Sequence, residues 1–139
     1  MSTENKALVR RWFEEVWNKG RVAAIDEMFH PEGVAHGLGD TPDVKLHGPE
    51  GFKPFFHSFY NTFPDINVTI DHIISENDLV ATHCTVRGTH TGNGIGVEAT
   101  HKPIHITGMG LCRIKDGKIF EAWNNFDFQG LSKQIGATM

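Results

Sequence analysis

The stretch HKPIHITGMGLCRIKDGKIFEAWNN, residues 101–125, contains the strongest local signal for the fold. The dipeptide Asp116-Gly117 separates two segments rich in apolar side chains, and Asp-Gly is a preferred two-residue turn of a β-hairpin. The stretch therefore predicts a pair of antiparallel strands, over residues 101–113 and 119–125.

Two further strands are predicted upstream, over residues 66–75 and 79–90, where the side chains alternate between a more apolar and a more polar face. The polar residues 76–78 suit a hairpin turn between them. Three glycines at strand positions permit a strong bend of the sheet: Gly88, Gly108 and Gly110. We therefore expect a curved antiparallel sheet.

Helical periodicity dominates the first half of the chain. Apolar residues at positions 8, 12, 13, 16 and 17 share one face of a helix that Gly20 ends, and a second short helix is predicted over residues 22–29. A third helix is predicted to open in residues 47–51 and to end at Pro64. Its aromatic stripe is expected to form a core face, with part of it lining a pocket, and consists of Phe52, Phe55, Phe56, Phe59, Tyr60 and Phe63.

Shorter elements complete the predicted fold. Residues 32–37 predict a turn and a short strand, residues 42–48 a loop or a minor strand, and residues 127–131 the start of a short final helix. The fold class is therefore α+β, with three N-terminal helices packed on one face of a curved antiparallel sheet. A bent sheet under helices encloses a cone-shaped cavity, which suits a small molecule.

Composition limits the classes of partner. The 139 residues are the size of one domain, so we expect a single domain over residues 1–139. A formal net charge of −4 argues against nucleic acid or an anionic membrane as the main partner. The charged N-terminus does not resemble a secretory signal, and Cys84 and Cys112 are expected as buried thiols, so a cytoplasmic location is expected.

Nine histidines raise the question of a metal site. His101 and His105 share a strand face but lie about 13 Å apart by the rise per residue, too far for one ion without further ligands. The chain has neither an HExxH pattern nor Cys/His ligand spacing. The sequence therefore predicts no metal.

Four segments of the sequence resemble the SnoaL-like polyketide cyclases (ester cyclases). They are WNKG followed by FHP (residues 17–20 and 29–31), HGPEG (47–51), RGTHTG (87–92), and RIKDGKI running into DFQG and QIG (113–119, 127–130 and 134–136). The resemblance covers nearly the whole chain. It implies the nuclear-transport-factor-like, or cystatin-like, cone and an enzyme without a cofactor. Such an enzyme closes a ring by intramolecular aldol condensation in an apolar pocket, and a homodimer is expected by analogy.

The resemblance also suggests site residues. It places the acid/base aspartate of the cyclases at Asn124 and a histidine at Gly110. Because an amide cannot take a proton, Asn124 is predicted to orient the substrate or stabilise an oxyanion. Trp17 and Phe55 match pocket-lining positions, and Phe59 and Met109 are predicted as further walls.

Other candidates come from the residues themselves, each with a structural alternative. Asp127 is either the remaining base or the cap of the final helix. His36 is either an acid/base group at the cavity mouth or a satisfied turn residue. His83 and Arg87 share a strand face that is either a cavity wall, forming a subsite for an anion or carbonyl, or the outer side of the sheet. Glu121 is expected on a solvated or dimer face.

Three functions remain open from the sequence. The first is acid/base chemistry on a bulky, apolar or aromatic carbonyl substrate, as in a polyketide cyclase or a related lyase. The second keeps the fold but changes the reaction to that of an isomerase, hydratase, hydrolase or hydroxylase. The third is a ligand-binding or dimerising module without catalysis.

Overall fold

The computed structural model describes residues 2–39, 41 and 43–136. The described chain forms four α-helices, a π-helical segment and six strands. In chain order these are α1 Ser2–Arg11, the π-helical segment Trp12–Asn18, α2 Val22–Met28, β1 Phe29–His36, β2 Lys45–His47, α3 Gly48–Thr62, β3 Asn67–Glu76, β4 Leu79–Thr89, β5 Pro103–Lys115, β6 Lys118–Phe126 and α4 Phe128–Gln134.

The six strands form one curved sheet in the order β2-β1-β6-β5-β4-β3. The predicted α+β class, with helices over a curved sheet, is confirmed. The hairpin at Asp116-Gly117 is confirmed as well, because β5 and β6 pair antiparallel and the two turn residues have positive φ angles of 55° and 72°. Positive φ at both central residues is what the favoured hairpin turn requires.

The sheet is not purely antiparallel, because β1 pairs with β6 in parallel. The predicted short strand at residues 32–37 is longer than expected, and residues 45–47 form the minor strand that pairs with it. The start of the predicted loop, Pro42, lies outside the described residues. The C-terminal hairpin thus brings β6 beside the first strand of the chain, an arrangement that local sequence signals do not predict.

The first helix widens into a π-helix over its second half. The N–H of Lys19 donates to the carbonyl of Glu14 at 2.9 Å, five residues back. Trp12 and Trp17 are also five residues apart, a spacing close to one turn of this wider helix, and both are buried. Both indoles contact Phe52 of α3, with ring centroids 5.2 and 6.2 Å away. Gly20 with φ 67° ends the segment as predicted.

Strand β5 begins at Pro103, two residues later than predicted, because a buried histidine organises the preceding loop. The main chain of His90 bonds to Lys102 and His101, at 2.9 and 2.8 Å. Its Nδ1 lies 2.9 Å from the hydroxyl of Thr100. His90 thus holds the end of the loop between β4 and β5 in place.

The core lies between the helices and the concave face of the sheet. Its largest fully buried side chains include Ile25, Met28, Phe29, Phe56 and Phe63. Within the described ranges, no helix is long and apolar enough to cross a membrane.

Two backbone contacts tie the outer elements to this core. The amide of Asn18 pairs with edge strand β3: its Nδ2 donates to the carbonyl of Val68 at 3.0 Å, and its Oδ1 accepts from the Val68 N–H at 2.6 Å. At the other end of the sheet, the chain leaves β1 at Gly37 with φ 83°, so close to β6 that a Cβ there would overlap the main-chain oxygen of Asn124. Glycine is therefore required at that turn.

We expect Asn18→Ala to lower the free energy of unfolding by about 1–3 kcal/mol, because both main-chain groups of Val68 lose a partner. Asn67→Ala removes an exposed amide from the same strand and is the matched control, with a change within about 0.5 kcal/mol. Urea denaturation measures both. Equal losses in the two variants would contradict the bridging role of Asn18.

We expect Gly37→Ala to destabilise more than Gly96→Ala. Both glycines have φ near 80°, but nothing lies within 4 Å of a Cβ at Gly96. Gly96→Ala therefore costs only the left-handed backbone, about 1–2 kcal/mol. Gly37→Ala adds overlap with Asn124, about 1–3 kcal/mol more. Denaturation midpoints compare the two, and a loss in Gly37→Ala no larger than in Gly96→Ala would exclude the close approach.

Candidate functional site

A cavity opens between the helices and the concave face of the sheet. The cavity and its open mouth together hold about 880 Å³ of atom-free space. The π-helical segment and α3 supply its aromatic wall, and β4, β5 and β6 supply its floor. The aromatic wall comprises Trp12, Phe13, Trp17, Phe52, Phe55 and Phe59.

Trp17 is the centre of this wall. Its ring lies 5.2 Å from that of Phe56 and 6.2, 6.1 and 6.5 Å from those of Phe52, Phe55 and Phe59. Three of the four contacts are edge-to-face, the geometry that aromatic pairs favour. The wall is therefore a set of interlocked rings, suited to a flat apolar ligand.

The floor carries a polar row across three strands, formed by Thr82, Gly110 and Asn124, which are direct register partners. A Cβ built on Gly110 would lie 3.4 Å from the Thr82 hydroxyl and 3.8 Å from Asn124 Oδ1. The missing side chain at Gly110 therefore leaves room between two polar groups. Asn124 Nδ2 donates to the main-chain carbonyl of His36 at 2.9 Å. This bond orients the amide, whose second N–H remains as a donor.

Cys112 also lines the cavity. Burial raises the pKa of its thiol to about 12, and Cys84 adds to the effect. Burial likewise raises the pKa of the Cys84 thiol. Both cysteines are therefore neutral at pH 7. Among the described lining residues there is no carboxylate, imidazole, amine or guanidinium.

The structure brings four of the predicted site residues to this cavity. Trp17, Phe55 and Phe59 stand in the aromatic wall, and Asn124 stands in the polar row. What each does to a ligand stays a prediction.

His36 is not at the cavity mouth, contrary to one of its two predicted placements. Strand alternation turns Ala35 into the cavity and His36 to the outer face. There its Nε2 lies 2.7 Å from a carboxylate oxygen of Glu121, and its ring stacks on Trp123 with centroids 5.6 Å apart. Glu121 thus lies on the outer face, as predicted, whereas an irregularity in the β5–β6 pairing turns Ile119, two residues earlier, into the cavity.

His83, Arg87 and Met109 also lie on the outer face. His83 and Arg87 thus take the outer-side alternative of their two predicted placements, and the prediction of Met109 as a cavity wall is wrong. They alternate along β4 and β5 with lining residues such as Thr82 and Gly110. Met109 is 55% exposed. Sequence alternation identified the two faces of β4, but not which of them the helices cover.

Asp127 takes the structural one of its two predicted roles. Its carboxylate accepts the N–H of Gly130 at 2.8 Å and caps α4. The residue is exposed and lies outside the described lining of the cavity. Thr82 and Cys112 line the cavity as well, although nothing in their predicted strands marks them as lining residues.

The family described as SnoaL-like polyketide cyclase matches residues 7–135. The aklanonic acid methyl ester cyclase DnrD of Streptomyces peucetius is 30% identical over 132 residues, which cover 93% of this chain and 88% of that protein. The nogalonic acid methyl ester cyclase of Streptomyces nogalater is 28% identical over 122 residues, with coverage of 86% and 89%.

A solved structure from Jannaschia sp. CCS1, named as SnoaL-like, superimposes with a TM-score of 0.86 at 22% identity, and covers 99% of this chain and 95% of its own. At that identity the likeness concerns the fold. The family match extends over nearly the whole chain and is evidence of common ancestry as well as of a common fold. It agrees with the aromatic cavity and the curved sheet. The chain therefore belongs to the SnoaL-like polyketide cyclase family.

Proposed function

We propose that this chain is a cofactor-free enzyme of the cyclase type that takes a bulky apolar carbonyl compound into the aromatic cavity. The observation that carries the proposal is the polar row of Thr82, Gly110 and Asn124 on an otherwise apolar floor. Two relatives are named as cyclases of methyl esters, which are carbonyl compounds.

The polar row suits a carbonyl oxygen of the ligand. The hydroxyl of Thr82 is able to donate to a ligand oxygen near Gly110, and the second N–H of Asn124 is able to donate to an oxygen beside its own amide. Thr82 is only 3% exposed, so water competes little for its hydroxyl. In such surroundings, oriented donors stabilise the negative charge that develops on an enolate oxygen.

The reaction is an intramolecular aldol closure. A proton leaves an activated carbon next to the bound carbonyl, and the resulting enolate carbon forms a bond to a second carbonyl carbon of the same molecule. The alkoxide formed there takes up a proton. Because Asn124 cannot accept a proton and the described lining has no carboxylate or imidazole, water at the cavity mouth accepts the first proton.

The absence of a carboxylate or imidazole among the described lining residues also favours a second candidate, a module that binds the same class of ligand and leaves it unchanged. The two functions differ in one observable, the fate of the ligand. Product analysis also separates the cyclase from an isomerase, hydratase, hydrolase or hydroxylase on the same fold. A homodimer remains our expectation.

Asn124 variants test the proposal with aklanonic acid methyl ester as the probe. Asn124→Leu is expected to lower turnover by about 10²–10³-fold, because it removes a donor to the developing charge. Asn124→Asp is expected to raise turnover, because it supplies a carboxylate base beside the apolar wall. Chromatography with mass detection follows substrate and cyclised product.

Asn125→Leu and Asn125→Asp are the matched controls, since Asn125 is exposed on the same strand. Both are expected to keep the parent rate, and circular dichroism verifies folding in all four variants. An unchanged probe with the parent chain, together with turnover by Asn124→Asp, would overturn the enzyme proposal and favour the binding module.

Alkylation tests the state of Cys112. Because its pKa is raised to about 12, the thiolate is scarce at pH 7.5 and appears only as the pH rises towards that value. A thiolate of high pKa is more nucleophilic, which offsets part of the decrease in alkylation rate caused by its scarcity. We expect iodoacetamide to modify folded Cys112 about a hundredfold more slowly than the urea-unfolded chain.

Peptide mass spectrometry measures both alkylation rates, and the unfolded chain is the control. The rate for folded Cys112 is expected still to rise above pH 9, where an ordinary thiol has levelled off. A folded rate within a few-fold of the unfolded one would show an accessible, ionisable thiol and reopen its use as a base.

A further inference from the structure

A pair of histidines stands on the outer face of the sheet, away from the cavity. His72 on β3 and His83 on β4 are direct register partners. Their Nδ1 atoms lie 3.2 Å apart, and their rings stack with centroids 5.4 Å apart and an interplanar angle of 27°. Two imidazole nitrogens thus point at one another at the surface.

A bulge in β3 creates this pairing. Ile70 pairs with Cys84, and regular counting would then place Asp71, not His72, opposite His83. The register shift inserts Asp71 as an extra residue and turns His72 to the outer face. The Asp71 carboxylate accepts the hydroxyl of Thr85 at 2.6 Å, which holds the bulge in place. The two imidazoles are therefore positioned by the main chain as well as by each other.

The separation of the two nitrogens suits a metal ion. An ion about 2.0–2.1 Å from each of two nitrogens 3.2 Å apart subtends an angle of about 100–106°, near the tetrahedral value. A contact between two Nδ1 atoms needs one protonated and one bare nitrogen. A metal takes the lone pairs of both, and each ring then carries its proton on Nε2.

We propose that His72 and His83 form a two-imidazole site for a late first-row transition-metal ion, of the Cu²⁺ or Zn²⁺ type. Imidazole suits both ions, and Cu²⁺ stands at the top of the affinity order. Solvent completes the coordination shell, because His72 is exposed and His83 half-exposed. Within residues 2–39, 41 and 43–136, no three His, Cys, Asp or Glu side chains form a metal-holding group, so this is a two-residue chelate.

Three other histidines are less available. Nε2 of His36 lies against Glu121, both nitrogens of His90 have partners, and Nδ1 of His30 accepts the N–H of Glu32. The sequence prediction of no metal rests on the spacing of His101 and His105 and on the lack of an HExxH pattern or Cys/His ligand spacing. It did not consider a pair brought together across two strands.

Titration of the full chain with CuSO₄ and with ZnSO₄ in separate calorimetric experiments tests the site. We expect one ion per chain. His72→Gln and His83→Gln are each expected to weaken binding by at least about tenfold. Removing a residue that merely hydrogen-bonds to a metal ligand already weakens binding by about that much, and these variants remove the ligand itself. His47→Gln, an exposed histidine on β2, is the control and is expected to match the parent.

Electron paramagnetic resonance of the Cu²⁺ complex supplies a second readout, in which the parent is expected to show coupling to two imidazole nitrogens. Zn²⁺ is also expected to raise the melting temperature of the parent but not of either variant, since binding to the folded state stabilises it. Binding of equal strength in the parent and both variants, or no stoichiometric binding by the parent, would overturn the proposal.

Discussion

The packing of Trp17 against α3 is the contact on which the shape of this molecule depends. Its indole touches four phenylalanine rings of that helix, and it reaches them because the first helix widens into a π-helix before it ends. Rings locked against one another in this way cannot collapse onto the sheet. The concave face is therefore left partly uncovered, and the space that remains is the cavity.

The charge distribution follows from this arrangement. Aromatic walls disfavour an ionised group, and the described carboxylates and imidazoles nearest the floor face away from it. Glu121 and His36 pair on the outer face, and Asp127 caps a helix. What remains inside is neutral: an amide, a hydroxyl and a thiol whose pKa is raised to about 12. The described lining thus offers hydrogen-bonding groups but no carboxylate or imidazole to accept a proton, and the function proposed above depends on that restriction.

The sequence predicted those features that local rules determine. The turn at Asp116-Gly117, the end of the first helix at Gly20 and the aromatic stripe of α3 each follow from conformational preference or periodicity. The parallel contact of β1 with β6 joins residues about ninety positions apart and has no local signal. The π-helical turn likewise depends on what Trp12 and Trp17 meet in the folded chain.

The same limit explains the errors in the predicted site. Alternation separates the two faces of a strand but does not say which face is covered, so Thr82 was overlooked and His83 was considered for the cavity wall. One bulge at Asp71 then decides what stands beside His83. Without it, His72 would turn inward, and an imidazole would enter the space that now holds neutral groups. The extra residue in β3 thus keeps the inner face apolar and leaves two imidazoles facing each other outside, so one irregularity determines the chemistry of both faces of the sheet.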